Sequence, residues 1–220
     1  MYAPDDVDPC IDIDSITDQT TRDKIQKIIE EDADKPLVQA RLIKLDNPLP
    51  TLAPGKYFVI SMRRLNNYLR VTDSYLNVYF PVFSKIYRSL VINFTLEIPT
   101  MATDDIRIFI NPAFLVYMYR KEGRIGPLTI IIHEIFHVLM KHQYRRQKRI
   151  WDFPDMTKCN IAMDHEINLI ISHLTNKLDF GGVFKRVGGC IDPKYEGMLW
   201  EDIYLEHNDE LMPPPQNNSN

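Results

Sequence analysis

Apolar residues recur at helical spacing along most of the chain and at strand spacing in two short stretches. Ile25, Ile28 and Ile29 follow the i, i+3, i+4 rule behind a cap at Asp18 or Thr20, which predicts a helix over residues 21–30. A second short helix is predicted over residues 36–45, with Pro36 in its first turn. Turns follow at Asn47-Pro48-Leu49-Pro50 and Ala53-Pro54-Gly55. Residues 57–69 start like a strand and end like a polar helix, and residues 79–90 form an amphipathic helical pattern. Residues 91–98 alternate apolar and polar with period two. Residues 106–110 match more loosely after a turn at Asp104-Asp105, and the two together predict a small antiparallel sheet. Pro112 opens a helix that Gly123 and Gly126-Pro127 break.

The next helix is predicted to run unbroken from Thr129 to Arg149. Its first half is strongly apolar, and it ends in Arg145, Arg146, Lys148 and Arg149, cations that suit a helix C-terminus. Asp155 stands as the cap of a helix over residues 156–174, whose Ile161, Ile167, Ile170, Ile171 and Leu174 give a broad apolar surface. Gly181-Gly182 and Gly188-Gly189 are expected to bound a flexible loop, and residues 198–205 a last short helix. The aspartate-rich residues 1–16 and the Pro, Gln, Asn and Ser tail over residues 212–220 lack the apolar content to order themselves. Three portions are therefore expected: an N-terminal helical appendage over residues 1–73, a main domain over 74–206 and a disordered tail over 207–220.

Composition narrows the classes. Of 220 residues, 45% are hydrophobic and 25% charged, enough apolar material for a sizeable core. A net charge of −4 points away from nucleic acid and anionic membranes, so the cationic run 141–149 reads as a solvated helix end. No apolar run reaches membrane-spanning length, and the acidic start does not resemble a signal peptide. Cys10, Cys159 and Cys190 are too few and too odd for a disulfide framework, so a reducing, cytoplasmic setting is expected.

The chemistry concentrates in His133-Glu134-Ile135-Phe136-His137. Two histidines four apart lie about 40° apart around a helix, one turn from each other, where both imidazoles reach one zinc ion. Glu134 can lean over the metal from the same face and take a proton from a zinc-bound water. Polar side chains within a buried apolar helix need such a reason to be there. A catalytic zinc has three protein ligands and an open position. His142 is rejected, because nine residues beyond His133 it falls about 180° away on a continuous helix. Asp164, 27 residues beyond His137 and set among Ile161, Ala162 and Ile167, is the preferred third ligand, with His165 the runner-up. Asn168, one turn after Asp164, is placed to hold a ligand by hydrogen bond. Glu166 and His173 are expected to face solvent or a partner.

Further pieces lie in order around this motif: Thr100-Met101-Ala102-Thr103-Asp104, Ile110-Asn111-Pro112-Ala113-Phe114, Lys141-His142 with Arg145, and Asn160-Ile161-Ala162-Met163-Asp164 with Ile167-Asn168. Ile191-Asp192-Pro193-Lys194-Tyr195 and Glu201-Asp202-Ile203-Tyr204 complete the set. In these the chain resembles a metallopeptidase-domain family of bacterial and phage proteins, often found beside a von Willebrand A-like domain. The likeness covers residues 79–205. It departs at Lys158-Cys159, where tryptophan is usual, and no von Willebrand-like portion is seen. The resemblance implies an α+β, zincin-like fold, mostly helical, with a small antiparallel or mixed sheet packed against the zinc helix. It also implies His133, His137 and Asp164 as zinc ligands, Glu134 as catalytic base, and the strand of Ile106, Arg107, Ile108, Phe109 and Ile110 beside the cleft.

Together these readings predict a zinc metallopeptidase that binds an extended peptide by strand addition to residues 106–110. Tyr195, Tyr204, His165 and Arg107 are the candidate donors to the transition-state oxyanion. The alternative is a catalytically silent zinc-stabilised protein, a virion component or binder of a phage or host protein.

Overall fold

A computed structural model describes residues 10–12, 19–20, 23, 42–44, 57–60 and 62–206. The chain divides into two units, Met1–Ile131 and Ile132–Asn220. Among the described residues the architecture is mostly helical, with two three-stranded sheets.

In the first unit, strands β1 (Cys10–Asp12), β2 (Leu42–Lys44) and β3 (Tyr57–Ile60) form an antiparallel sheet in the order β1-β3-β2. Val59 on the central strand stands opposite both Ile11 and Leu42. The helix expected over residues 36–45 is thus wrong at its end. Pairing of Leu42–Lys44 with β3 overrides a weak helical pattern, as tertiary context commonly does for short segments. Asp23 is helical, but most of the helix expected over 21–30 lies outside the described residues, as do the turns before β3 and the tail over 207–220.

Helix α1 (Met62–Tyr79) gives way to α2 (Pro81–Ser89) at Phe80. Pro81 has no N–H to continue α1 and is pre-set for the first turn of α2, so the pattern over 79–90 is the second of two helices. Asp73 accepts from the Ser84 hydroxyl at 2.9 Å and from Arg88 Nε at 2.9 and 3.0 Å, tying α1 to α2. The boundary placed after residue 73 therefore falls inside a helix.

Strands β4 (Val91–Phe94), β5 (Met101–Thr103) and β6 (Arg107–Ile110) form a mixed sheet in the order β4-β6-β5. β5 and β6 are an antiparallel hairpin. Asp104 closes the turn by accepting from the Ile106 and Arg107 amides, and Asp105 takes the left-handed conformation at φ 72°. β4 runs parallel to β6, not antiparallel as its alternation suggested. The reason is β5, a three-residue strand too short to show a period, which occupies the antiparallel side of β6. Ile108 and Ile110 of β6 are fully buried, while Ile106 precedes the strand and is exposed.

Asn111 starts α3 (Pro112–Glu122). Its Oδ1 accepts from the Ala113 and Phe114 amides, and its Nδ2 donates to Ile98 O at 2.8 Å, fastening the loop before β5 to the helix start. Tyr119 of α3 stacks on Tyr68 of α1 at 4.0 Å. Helix α4 (Ile125–Leu139) follows after Gly123. A side chain at Gly126 would collide with the carbonyl oxygen of Met118 in α3, so glycine lets these helices approach.

The second unit takes α4 from Ile132 onward and adds α5 (His142–Lys148), α6 (Met156–Ser172), α7 (Phe180–Val187), a 3-10 turn (Pro193–Tyr195) and α8 (Trp200–Glu206). The long helix expected over 129–149 is two helices. Lys141, at φ 53° and ψ 41°, breaks the ladder and restarts it in a new direction. The loop expected from Gly181 to Gly189 is largely α7. Phe180, Val183 and Phe184 bury its apolar face, Asp179 caps it through the Gly182 amide, and Gly188, at φ 76°, ends it.

α6 is the centre of this unit. Its Cys159, Ala162, Met163 and Leu169 pack with Phe153, Tyr195, Trp200, Ile203 and Tyr204 in one buried cluster. Asp155 caps α6 through the Lys158 amide at 3.0 Å. The cationic end of α5 is partly spoken for within the fold: Arg145 makes a two-pronged ion pair with Glu201 of α8, and Arg149 pairs with Asp152. Among the described residues no helix is long and apolar enough to cross a membrane.

The cap that joins α3 to the loop before β5 gives a direct test. Asn111→Ala removes the one oxygen that accepts from two amides and the Nδ2 that donates to Ile98 O, and should cost about 1–2 kcal/mol, the upper range for a cap. Urea melts of the two proteins measure this. An unchanged midpoint would contradict it.

Candidate metal centre

His133 and His137 project from one face of α4 on successive turns. Behind them Ile132 and Ile135 are fully buried, which fixes the rotation of the helix and so the direction of both imidazoles. Asp164 comes from the middle of α6. The two Nε2 atoms lie 3.0 Å apart, and each is 3.4 Å from Asp164 Oδ1. Bonds of about 2.0–2.2 Å to a tetrahedral zinc place neighbouring donors about 3.3–3.6 Å apart, so this triangle is close to the size the ion needs. Two imidazoles and a carboxylate could hold a metal ion here. The two histidine side chains keep 11% of their surface and Asp164 keeps 35%, so the triangle is open on the Asp164 side.

Each histidine is also held from behind. His133 Nδ1 lies 2.8 Å from Asn168 Oδ1, and Asn168 Nδ2 donates to the Cys190 carbonyl at 2.8 Å. His137 Nδ1 lies 3.1 Å from Nδ1 of His142, which is fully buried. On its other side His142 Nε2 is 3.4 Å from Glu166 Oε2, and that same oxygen accepts from the Trp200 amide at 3.0 Å.

Burial and mutual charge set the protonation of the metal-free site. Burial pushes Glu134, 4% exposed, up to about 7, against the opposing charge of His133. Burial alone would lower His133, but the hydrogen bond and charge of Asp164 outweigh it and lift the imidazole to about 9. His137 is pulled down to about 4, chiefly by burial. Burial works to raise Asp164, yet the two imidazoles hold it well below the usual carboxylate range. The Cys190 thiol is pushed up to about 11 by burial, and it is not among the donors that converge on the triangle.

Several predicted residues are engaged in other contacts. His165 does not join the converging donors, and its ring packs edge-to-face on Tyr195 at 4.8 Å. Tyr195 and Tyr204 are both buried in the apolar cluster around Trp200. The Tyr204 hydroxyl accepts from the Asp155 amide at the start of α6, about 13 Å along the helix from Asp164 at 1.5 Å per residue. It is therefore a core residue and not an oxyanion donor. Arg107 pairs with Asp104 within the first unit. β6 is the middle strand of its sheet, with partners on both sides, so no added peptide can pair with residues 107–110. His173 is exposed, as expected, and lies 3.5 Å from Glu196. Glu166 is not: at 4% exposure it is one of the most buried carboxylates described.

His142 was excluded on the premise of a continuous helix, and the break at Lys141 removes that premise. It lies behind His137, outside the donor triangle. No glycine or proline marks the break. The one signal for these two residues is a second buried histidine and a second buried carboxylate with no other partners in view.

The arrangement defines a class: an α+β protein whose His-Glu-x-x-His helix and a following helix present two imidazoles and a carboxylate to one point, with a glutamate beside them. The chain belongs to the family described as "Putative metallopeptidase domain", whose model matches residues 81–209. No curated protein and no solved structure matches it.

Between about pH 4 and about pH 9 the two histidines of the metal-free site carry a single positive charge, on His133. A raised histidine keeps its proton as the pH rises past 6.5, and a lowered one gives it up before. Imidazole nitrogen shifts of the chelator-treated protein at pH 7 should therefore show His133 charged and His137 neutral. Both neutral at pH 7 would contradict this electrostatic account.

Proposed function

We propose that this chain is a zinc metallopeptidase of zincin-like fold that hydrolyses peptide bonds, with His133, His137 and Asp164 holding the metal and Glu134 serving as general base. The observation that carries the reading is Glu134. It is a buried carboxylate immediately beside a complete set of three donors, and it is not itself one of them. A structural zinc has no use for it, and burying an ionisable group without a task is costly. A group pushed up to about 7 can accept a proton and return it near neutral pH, as a general base must.

When bound, zinc supplies Lewis acidity, polarising a carbonyl and making water easier to deprotonate. The residues of the chain do the rest. Glu134 takes a proton from the attacking water as its oxygen bonds the scissile carbonyl carbon. It then passes that proton to the departing amine nitrogen as the C–N bond breaks. Asp164, held well below the usual carboxylate range, stays ionised throughout. The open side at Asp164 gives the substrate its approach. The substrate is read as a peptide or protein, held by something other than strand addition to β6.

One observation favours the alternative, a zinc-stabilised scaffold that cuts nothing. The tyrosines expected to serve the oxyanion are packed in the core. Glu134→Gln separates the two readings. Zinc content should be about one per chain in wild type and in this variant, and should be lost in His137→Ala. Hydrolysis of a peptide library should fall by about a hundred- to ten-thousand-fold in Glu134→Gln, the usual cost of removing a general base. Zinc-loaded wild type that cuts nothing, or a Glu134→Gln form that cuts as fast, would overturn the proposal.

A further inference from the structure

The contacts behind the two histidines end on backbone groups, and a backbone group cannot reverse its polarity. The Cys190 carbonyl only accepts, so Asn168 must turn its amide nitrogen toward it and its Oδ1 toward His133. That oxygen in turn requires a proton on His133 Nδ1, which leaves Nε2 bare when the ring is neutral. The second route is longer. The Trp200 amide only donates, so Glu166 Oε2 is an acceptor. His142 Nε2 lies 3.4 Å from that oxygen without the alignment of a hydrogen bond, and beside a carboxylate oxygen a proton on Nε2 is favoured over a lone pair, which leaves His142 Nδ1 bare. The 3.1 Å contact between His142 Nδ1 and His137 Nδ1 needs one donor and one acceptor, so the proton between them belongs to His137. His137 Nε2 is then bare as well, and points at the triangle with His133 and Asp164.

We infer that His142 and Glu166 are positioning residues that fix the metal-binding tautomer of His137, in a route anchored on the Trp200 amide and parallel to the Asn168 route for His133. This rests on the metal reading above. All the side chains of the longer route are deeply buried: His142 at 0%, Glu166 at 4% and His137 at 9%. Water is therefore a poor substitute for any of them. The routes also differ in charge. His133 is backed by a neutral amide, whereas His137 is backed by an imidazole and a carboxylate, which increases the electron density His137 can give a cation.

The first measurement uses the wild-type, metal-free protein and needs no variant. Long-range nitrogen–proton correlation spectra at pH 7 should show His137 protonated at Nδ1 and His142 at Nε2. The reverse assignment for either ring would overturn the inference, whether or not the protein binds zinc. The second is a zinc competition titration against a chromophoric chelator. His142→Leu should weaken binding by about 10–100-fold, the usual effect of losing such a support. His142→Asn, whose Oδ1 can stand where Nδ1 stood, should recover most of that loss and restore the Nδ1–H signature of His137. If leucine at 142 prevents folding, the asparagine variant and the wild-type spectra still decide. Unchanged zinc affinity and an unchanged His137 tautomer in folded His142→Leu would overturn the inference. Wild type that binds no zinc would instead overturn the metal reading and leave the tautomer result standing.

Discussion

The constraint behind the second unit is the cost of placing imidazoles and carboxylates inside apolar helices. His137, His142, Glu134 and Glu166 are each at most 9% exposed. An unpaired polar group at such depth costs on the order of 1–3 kcal/mol, and a charged one more. The fold meets this in part: His137 lies between His133 and His142, and Glu166 accepts from the Trp200 amide, while His142 meets His137 through Nδ1 and keeps Nε2 3.4 Å from Glu166 without a hydrogen bond. That requirement explains why α4, α5, α6 and α8 are arranged as they are. It also explains why Lys141 takes a left-handed backbone costing about 1–2 kcal/mol. Without that break His142 would lie on the far side of the helix from His137.

Much of the site was legible because helix geometry is local. Four-residue spacing sets His133 beside His137 whatever the rest of the chain does, and the same spacing sets Asn168 one turn from Asp164. The apolar neighbours of Asp164 marked it as a residue with a reason to be buried. His142 and Glu166 were not legible, and for different reasons. His142 depends on a backbone break that no glycine or proline announces. Glu166 sits on the tertiary face of α6 opposite α8, and nothing in its own helix reveals that α8 delivers an amide to it.

The fold divides along the same line. Helix starts stood out: Asp155 caps α6 and Pro112 opens α3, both at boundaries set by local chemistry. Sheet pairing did not stand out, because it is decided by partners distant in sequence. Met101–Thr103 is too short to show a period, yet it takes one side of β6 and leaves the other to a parallel β4. That ordering removes β6 as a place for a peptide to add. Glycine misled at 181–182, where Phe180, Val183 and Phe184 made a helix whose cap, Asp179, suits the glycine amide.

The central claim is that two imidazoles and one carboxylate, and no thiolate, present their donors to one metal ion. X-ray absorption at the zinc edge of the loaded protein tests it most directly. The account predicts a four-coordinate zinc with two imidazole nitrogens and oxygen for the remainder, at about 2.0–2.2 Å. A sulfur neighbour at about 2.3 Å, or a shell containing fewer than two imidazoles, would contradict it.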